Sequence, residues 1–200
     1  MELNIMRGFF AMISRMKYID RWGLMRCTRT ETLSEHTLET AMLSHALIEI
    51  ANARFEKELD PGKAVLLAMY HDSAEIITGD LPTPVKYHND EIKHAYDSIE
   101  EVAIGRLLKM LPDDLKPAFE RSLSPDEDTL AIYEPYVKAA DKLSALIKCV
   151  EELKAGNAEF KMAHQSVLSH KSLQIPEAQF FINEFLPAYA LSLDELEHFE

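Results

Sequence analysis

Cysteine is scarce in this sequence, which limits the kinds of covalent framework that the chain can have. Cys27 and Cys149 are the two cysteines; they lie far apart and form no CxxC pair. A disulfide-rich secreted scaffold is therefore excluded, and a reducing compartment, the cytoplasm, is expected. No serine or cysteine stands in a recognisable nucleophile motif, so the sequence gives no sign of covalent catalysis by either residue type.

Long apolar runs are also missing, although 47% of the residues are hydrophobic. The apolar segment Gly8–Ser14 is short, is flanked by Arg7 and Arg15, and lacks a convincing cleavage site. We therefore expect neither a membrane span nor a secretory signal. The sequence has no internal repeat, low-complexity tract or Gly/Ser linker, so residues 1–200 are expected to form a single domain.

Positive charge is in short supply, because 21 lysines and arginines face 34 acidic residues and the net charge is −13. This balance argues against binding to a nucleic-acid polymer or a membrane surface. Residues 1–30 reverse it, with six basic and two acidic side chains. A local basic edge on an acidic protein suits a small anionic ligand, although a solvated helix face is the simpler interpretation for Arg7, Arg15 and Lys17.

Strand-like alternation is absent and β-branched residues are sparse, whereas helical periodicity recurs along the chain. This pattern predicts an all-α bundle. Thr32 and Glu35 form a capping-box signature, and Pro82 and Pro84 predict a non-helical segment after the third helix. The predicted helices cover residues 4–19, 33–55, 61–78, 90–110, 113–123, 135–155, 158–169 and 176–191.

Apolar residues at helical spacing predict which faces of these helices pack inward. In the first helix they are Ile5, Phe9, Ile13 and Met16; in the second, Leu38, Met42, Ala46, Leu47 and Ile50; in the fourth, Ile92, Tyr96, Ile99, Val102 and Leu108.

The run of residues 70–84, at the end of the predicted third helix, carries the densest chemistry. Asp60 and Pro61 suit the start of that helix, and Gly79 suits a left-handed end. Helical spacing would place His71, Asp72 and Glu75 on one face, near the negative end of the helix dipole. They could hold a cation with a proton-handling group beside it, or they could simply cap the helix end.

His36 and Asp141 are expected to join the central His–Asp pair from two other helices. A carboxylate among the small, apolar neighbours of Asp141 is costly to bury without a partner. The plainer alternatives are a salt bridge from Asp141 to Lys138 or Lys142, and a contact between His36 and its own helix cap. Together, two imidazoles and two carboxylates suit a borderline to hard divalent metal with coordination positions left open.

The order of these residues resembles the HD-domain metal-dependent phosphohydrolases. With the flanking segments included, the sequence is similar to the bacterial 5′-deoxynucleotidases over nearly its whole length, and least so in the first helix and over residues 112–130. The matching segments are residues 20–22, 29–36, 70–75, 78–86, 138–141, 148–153, 155–157 and 191–195.

The resemblance implies an HD-domain fold and a homodimer that removes phosphate from deoxyribonucleoside 5′-monophosphates and rejects ribonucleotides. It also implies one divalent metal ion per subunit, with Co²⁺, Mn²⁺ or Cu²⁺ as candidates. The implied metal ligands are His36, His71, Asp72 and Asp141.

The resemblance further implies catalytic roles for Glu75, as general base or general acid, and for Arg21, as the phosphate-orienting group. Without it, Trp22 would be interpreted as core packing and Asp80 as a turn residue.

A different HD phosphohydrolase, such as a triphosphohydrolase, and a non-enzymatic metal-bound interaction module are the alternative functions. The implied substrate-binding residues are Arg21, Trp22, His36, Asp72, Asp80, Leu81, Pro82, Thr83 and Asp141.

Overall fold

The computed structural model describes residues 7–86 and 88–197, and the described chain is helical. Over these residues the extended pairing is limited to one isolated antiparallel bridge between Asp20 and Thr32, so the predicted all-α class is confirmed. The α-helices are α1 (Phe9–Ile13), α2 (Leu33–Phe55), α3 (Pro61–Tyr70), α4 (Glu75–Thr78), α5 (Thr83–Lys86), α6 (Asp90–Lys109), α7 (Lys116–Leu123), α8 (Glu127–Lys154), α9 (Lys161–Leu168), α10 (Pro176–Glu184) and α11 (Leu193–Glu197).

Short 3₁₀ helices connect several of these elements. They cover Ser14–Tyr18, Ala158–Phe160, Lys171–Gln174 and Leu186–Ala190.

Helix α2 is the centre of the fold, since it packs against α3 on one side and α8 on the other. Its start confirms the capping box, because Thr32 and Glu35 bond each other's backbone amides. Burial of the apolar faces of these helices supplies most of the stabilisation that helices of this kind need. The largest fully buried aliphatic side chains in this layer are Leu47, Ile48, Leu143, Leu146, Ile147 and Leu173.

A second, smaller core lies where α1, α6 and α7 meet. Phe9, Leu107, Leu111 and Leu123 are buried there. Tyr70, the last residue of α3, packs at its edge with its ring centroid 6.1 Å from that of Phe119. Since Tyr70 directly precedes the His71–Asp72 pair, this second core fixes the end of α3 from which that pair projects.

The predicted third helix is wrong at its C-terminal end, because regular helix stops at Tyr70. After it, the amides of Ser73 and Glu75 donate to carbonyls three residues back rather than four, at 3.1 Å and 3.0 Å. This tighter winding separates α4 from α3. Gly79 has a positive φ of 73°, as expected, but its ψ of 167° is not that of a left-handed helical end.

Other helix boundaries also differ from the prediction. Residues 9–18 split into α1 and a 3₁₀ turn, and residues 4–6, including Ile5, lie outside the described residues. Helix α7 begins at Lys116, later than predicted, and Thr83–Lys86 is a short helix rather than a non-helical segment. Pro135 lies inside α8, which begins instead after the N-cap Asp126.

The predicted inward faces were partly wrong. Leu47, Ile50 and Tyr96 are buried as expected, but Leu38 is 61% exposed and Met42 is 58% exposed. Ile99 and Val102 of α6 are exposed as well, and Ala103 and Leu107 are buried in their place. Among the described helices, none combines the length and apolarity that a membrane span requires.

Candidate functional site

Three separate segments bring two imidazoles and two carboxylates together. His36 lies in the first turn of α2 and is fully buried, and Asp141 projects from the middle of α8. The Nε2 atom of His36 lies 3.3 Å from Asp141 Oδ1 and 3.5 Å from Asp72 Oδ2. His71 Nε2 lies 3.1 Å from the same Asp72 oxygen. The predicted convergence of these four side chains is therefore observed.

The ring of His71 is oriented from its far side by the backbone. Its Nδ1 lies 2.7 Å from the carbonyl oxygen of Ala68, one turn back along α3. A carbonyl only accepts hydrogen bonds, so Nδ1 carries a proton, and in the neutral ring the lone pair is on Nε2. That Nε2 atom is buried and has no hydrogen-bond partner of suitable geometry in the described part of the chain.

The residues present fit a divalent metal ion. Ligand atoms of His36, His71 and Asp141 lie within 4.8 Å of one another, and Asp72 Oδ2 lies against both imidazoles. A buried imidazole nitrogen without a partner is costly, and coordination of a cation would satisfy it. Nitrogen and carboxylate oxygen ligands in this mixture suit first-row divalent ions.

Electrostatics within the cluster point in the same direction. Burial disfavours ionisation of Asp72, but the neighbouring imidazoles of His71 and His36 outweigh it and hold the Asp72 pKa well below its usual range. Burial also disfavours the imidazolium of His71, yet Asp72 and Asp141 raise the His71 pKa to about 9. The ionised carboxylates of Asp72 and Asp141 thus concentrate negative potential between the two imidazoles, where a cation would replace the imidazole proton.

The plainer alternative for Asp141 is partly realised. Lys142 Nζ lies 3.0 Å from Asp141 Oδ2, whereas Lys138 pairs with Glu134 instead. Because the Lys142 contact uses Oδ2, Oδ1 still faces His36. The alternative for His36 is not realised, since its side chain does not contact the helix cap and Nδ1 lies 2.9 Å from Ser144 Oγ.

Glu75 lies beside the cluster but is not part of it. It is the first residue of α4, is buried, and its Oε2 has no hydrogen-bond partner in the residues described. Burial, followed by the negative charges of Asp72 and Asp80, raises the Glu75 pKa to about 9. A cation bound nearby would oppose that rise, since positive charge favours the carboxylate. A carboxyl group poised in this way can exchange protons at a reacting centre.

Arg21 and Trp22 are held together by one carboxylate. Oε2 of the buried Glu31 accepts hydrogen bonds from Arg21 Nη1 at 3.0 Å and from Trp22 Nε1 at 2.9 Å. Trp22 has a φ of 61°, a conformation that a bulky residue rarely adopts, and its ring packs 5.3 Å from that of Phe160. Strain of this kind often marks a functional segment.

Asp80 connects this loop to the cluster. Its carboxylate accepts a hydrogen bond from the backbone amide of Trp22 and interacts electrostatically with Arg21 and Asp72. Burial outweighs the attraction of Arg21 and raises the Asp80 pKa above its usual value. Leu81 and Pro82 follow and are half-buried, and Thr83 begins α5.

The loop that carries Arg21 and Trp22 is fastened to α8 by the buried carboxylate of Glu152. Both of its oxygens accept from the backbone amide of Thr28, and Oε1 pairs with Lys148 at 2.6 Å. Asn157 Nδ2 also donates to Glu152, at 2.9 Å. Helix α8 therefore positions both Asp141 and the loop that carries Arg21 and Trp22.

Several residues of the site were missed in the sequence. Ser144 lies one turn after Asp141 on α8, and Glu39 lies one turn after His36 on α2, so helical spacing could have suggested both. Glu31 and Glu152 act through tertiary contacts, and no spacing rule points to them. The missed residues are Glu31, Glu39, Ser144, Lys148 and Glu152.

Comparisons with known proteins agree with this geometry. A 5′-deoxynucleotidase from Pectobacterium atrosepticum is 47% identical over 191 residues, covering 94% of each chain. One from Yersinia pseudotuberculosis is 47% identical over 197 residues, covering 96% of this chain and 97% of that protein.

Two solved structures have the same fold. An HD-domain phosphohydrolase from Listeria innocua matches with a TM-score of 0.77 and 18% identity, covering 95% of this chain and 92% of that chain. The cyanophage S-2L HD phosphohydrolase DatZ, bound to dA and one catalytic Zn²⁺, matches with a TM-score of 0.57 and 21% identity, covering 90% and 95%. The bundle is therefore an HD-domain bundle.

The model of the family described as "5′-deoxynucleotidase YfbR-like" matches residues 8–189. With that match and relatives 47% identical over almost the whole length, the chain belongs to the YfbR-like 5′-deoxynucleotidase family.

Proposed function

We propose that this protein hydrolyses deoxyribonucleoside 5′-monophosphates to deoxyribonucleosides and phosphate with the help of one divalent metal ion per subunit. The observation that carries the proposal is the convergence of His36, His71, Asp72 and Asp141 beside Glu75, in a chain 47% identical to proteins named 5′-deoxynucleotidases.

The four converging side chains would hold the metal. His71 and His36 offer Nε2, and the two aspartates offer carboxylate oxygens that face these nitrogens. When bound, a divalent ion supplies Lewis acidity, which neutralises phosphate charge and promotes ionisation of water. Co²⁺, Mn²⁺ and Cu²⁺ are the candidates from the resemblance, and Zn²⁺ joins them because the cyanophage protein contains it.

Glu75 is the proposed proton-transfer residue. Its unpartnered Oε2 is buried beside the cluster, which leaves that oxygen available to a water molecule or to the 5′ oxygen of the substrate. As a base it would take a proton from the attacking water, and as an acid it would deliver one to the leaving group.

Arg21 is the proposed phosphate-binding residue. One donor of its guanidinium is committed to Glu31, and the remaining donors of the planar group are suited to a phosphate. Trp22 and Asp80 would contact the sugar, with Leu81, Pro82 and Thr83 as the adjoining wall. His36, Asp72 and Asp141 would lie next to the phosphate.

The oligomeric state, the compartment and the domain organisation are also proposals. We propose a homodimer in a reducing, cytoplasmic compartment, consistent with two unpaired cysteines. The family match over residues 8–189 supports the interpretation of residues 1–200 as a single domain.

A phosphate-release assay tests the function directly. Matched deoxyribo- and ribonucleoside monophosphates and a deoxynucleoside triphosphate would be compared, before and after exhaustive chelation and after addition of single metals. We expect release from the deoxyribonucleoside monophosphates only, lost on chelation and restored by a transition metal. Activity that survives complete metal removal, or a preference for the triphosphate, would contradict the proposal.

Asp141→Ala provides the matched site variant. It deletes one carboxylate ligand without an obvious substitute, so we expect loss of stoichiometric metal and of phosphate release. Glu134→Ala, which removes an α8 carboxylate paired with Lys138 away from the cluster, is the control. Full metal content in Asp141→Ala would show that this residue was wrongly assigned.

A further inference from the structure

A chain of hydrogen bonds lies behind His36, on the side of the ring away from Asp72 and Asp141. His36 Nδ1 lies 2.9 Å from Ser144 Oγ, and the Ser144 hydroxyl donates to Glu39 Oε2 at 2.6 Å. His36 and Ser144 are fully buried, and Glu39 is half-buried. The three residues connect α2 to α8 directly behind the cluster.

This arrangement differs from the one behind His71. There a backbone carbonyl contacts Nδ1, and a carbonyl can only accept. A serine hydroxyl can both donate and accept, so a hydroxyl alone does not determine which ring nitrogen of His36 carries the proton. If Ser144 donated to Nδ1, the proton would sit on Nε2 and the metal-facing lone pair would be lost.

Glu39 resolves that ambiguity. An ionised carboxylate is only an acceptor, so it commits the single hydroxyl hydrogen of Ser144 and leaves the oxygen lone pairs to accept from His36 Nδ1–H. Burial raises the Glu39 pKa above its usual value, and the hydrogen bond from Ser144 only partly offsets that rise. The direction of donation is therefore assigned from the 2.6 Å contact of the Ser144 hydroxyl with Glu39 Oε2. The direction of donation then runs from the imidazole through the hydroxyl to the carboxylate.

Thr40 is the other hydroxyl near the ring. Its Oγ1 lies 3.5 Å from Nδ1 and 3.4 Å from Nε2 of His36. An atom nearly equidistant from both nitrogens lies along neither N–H direction, so Thr40 does not select a tautomer. The shorter contact with Ser144 is the one that can.

We propose that Ser144 and Glu39 are positioning residues that fix His36 in the tautomer with a free Nε2 lone pair and so tune its affinity for the metal. The inference rests on the proposed metal site. It adds two residues that are not part of the family's His–His-Asp–Asp motif. In known metalloproteins, loss of such an outer hydrogen bond to a ligating histidine typically weakens metal binding by roughly 10–100-fold.

Calorimetric titration of the metal-free protein with Co²⁺ and Zn²⁺ tests this hydrogen-bond relay, the chain from His36 through Ser144 to Glu39, without relying on activity. We expect Ser144→Ala to bind metal roughly 10–100-fold more weakly than the wild type, and Glu39→Gln to bind more weakly as well, because an amide can donate as well as accept. Ser44→Ala is the matched control, since Ser44 is also fully buried but its hydroxyl has no partner in the described chain. Glu49→Gln, on the exposed face of α2, controls for the loss of charge.

A second pair of variants guards against a merely structural effect. Ser144→Thr and Ser144→Val add similar volume but differ in the hydroxyl, so we expect the threonine variant to bind metal more tightly. Nitrogen NMR of labelled imidazoles in the metal-free protein reports the tautomer directly, and Nδ1 of His36 should be protonated in the wild type but lose that preference in Ser144→Ala.

The outcomes separate the relay from the proposed function. Wild-type metal affinity in both Ser144→Ala and Ser144→Val would overturn the relay while leaving the metal site intact. A wild-type protein that binds neither metal would overturn both. An unchanged His36 tautomer in metal-free Ser144→Ala would also overturn the proposed role of Ser144 and Glu39, even if metal binding were weaker.

Discussion

At the scale of single residues, Glu31 shows how much of the site depends on one buried carboxylate. Its Oε2 atom accepts from Arg21 Nη1 and from the indole N–H of Trp22, so it orients a cation and an aromatic ring together. Charge-assisted hydrogen bonds of this type are stronger than neutral ones, and both are shielded from water. Arg21 and Trp22 therefore form a prearranged pair facing Asp80.

Glu75→Gln tests the proton-transfer assignment. The amide has nearly the same shape but cannot exchange a proton, so we expect kcat to fall by roughly 10²–10⁴-fold. Metal affinity and thermal stability should be close to wild type, because Glu75 lies beside the ligand cluster rather than in it. Glu101→Gln, on the exposed face of α6, is the control. A kcat within about twofold of the wild type would leave Glu75 without a role in proton transfer.

Trp22→Ala tests the origin of sugar selectivity. A rigid indole against the 2′ carbon would clash with a ribose hydroxyl and strip it of water without offering a partner. Since an apolar wall rejects an added hydroxyl by about 10²-fold at most, the deoxy-to-ribo ratio of kcat/KM should fall by up to about that factor. The gain should come mainly from the ribonucleotide.

Two further variants separate the wall from its hydrogen bonds. Trp22→Phe keeps a ring but loses the N–H to Glu31, so it should retain part of the selectivity. Asp80→Ala should weaken both substrates without improving acceptance of ribose. Equal losses for both sugars in Trp22→Ala would reduce Trp22 to a packing residue against Phe160.

The identities of the four clustered residues could be predicted from the sequence. His36, His71, Asp72 and Asp141 could be grouped because their residue types and order match a known motif. Helical spacing places Ser144 one turn after Asp141 and Glu39 one turn after His36, but only the packing of α2 against α8 brings Ser144 and Glu39 into contact. The sequence therefore identifies the proposed ligands more readily than the residues proposed to orient them.

At the scale of elements, the segment after Tyr70 shows why helix ends are hard to predict. No glycine or proline lies between Gly62 and Gly79, so the pattern predicts uninterrupted helix. The chain instead tightens to bonds three residues apart at Ser73 and Glu75. That change of winding rotates Glu75 relative to His71. Tertiary contacts flank it, because Tyr70 packs against the second core and Thr78, at the end of α4, bonds the hydroxyl of Tyr96.

Pro135 is the opposite case, a proline that lies inside a helix without ending it. Proline usually opens a helix or breaks one, and the sequence therefore suggested a start for α8 at that position. The helix instead begins after Asp126, whose side chain accepts from the amide of Thr129 at 2.7 Å. Burial of Tyr133, Tyr136 and Val137 around the proline stabilises the helix against the loss of one backbone hydrogen bond.

The attachment of the Arg21 loop to α8 makes a prediction about acid stability. The hydrogen bonds to Glu152 from Lys148, Asn157 and Thr28 outweigh its burial and lower its pKa from 4.5 to about 2. A carboxyl group whose pKa is lowered by folding stabilises the protein above its unfolded pKa, and the effect is lost as pH falls toward the folded pKa. This depression corresponds to stabilisation on the order of 3 kcal/mol near neutral pH.

Glu152→Gln should therefore lower the free energy of unfolding by about that amount near pH 7. The difference from wild type should shrink as pH falls from about 5 to about 2, because the wild type loses the same contribution. Urea unfolding at a series of pH values measures both effects, with the exposed Glu151→Gln as the control. A difference that stays constant with pH would mean that the ionised carboxylate is not what fastens the loop.

At the scale of the whole molecule, the two apolar clusters explain which sequence patterns failed. Helices α2 and α6 carry apolar residues on more than one face, and periodicity alone does not say which face is buried. In α2, Leu43 and Leu47 are buried and Leu38 and Met42 are exposed, because α3 and α8 pack against the face that carries Leu43 and Leu47. The all-α class was predictable from composition, whereas the choice between faces required the arrangement of the neighbouring helices.

The cluster of proposed metal ligands also joins distant parts of the fold, because its members come from α2, the turn after α3, and α8. A metal that binds the folded cluster and not the unfolded chain stabilises the fold by about 2.7 kcal/mol at a free concentration of 100 times Kd. For a chain of this size that corresponds to a rise in Tm of roughly 5–10 °C. Calorimetric scans of the metal-free protein with and without added Co²⁺ measure it.

Variants distinguish stabilisation through the cluster from binding elsewhere on an acidic surface. Asp141→Asn should lose most of the rise in Tm, because it removes a charged ligand from α8 while keeping the shape of the side chain. Glu75→Gln should keep the rise, since it leaves all four proposed ligands in place. Equal stabilisation of the wild type and Asp141→Asn by metal would mean that the ion acts at other carboxylates, and the role of the cluster in joining the three helices would then have to be abandoned.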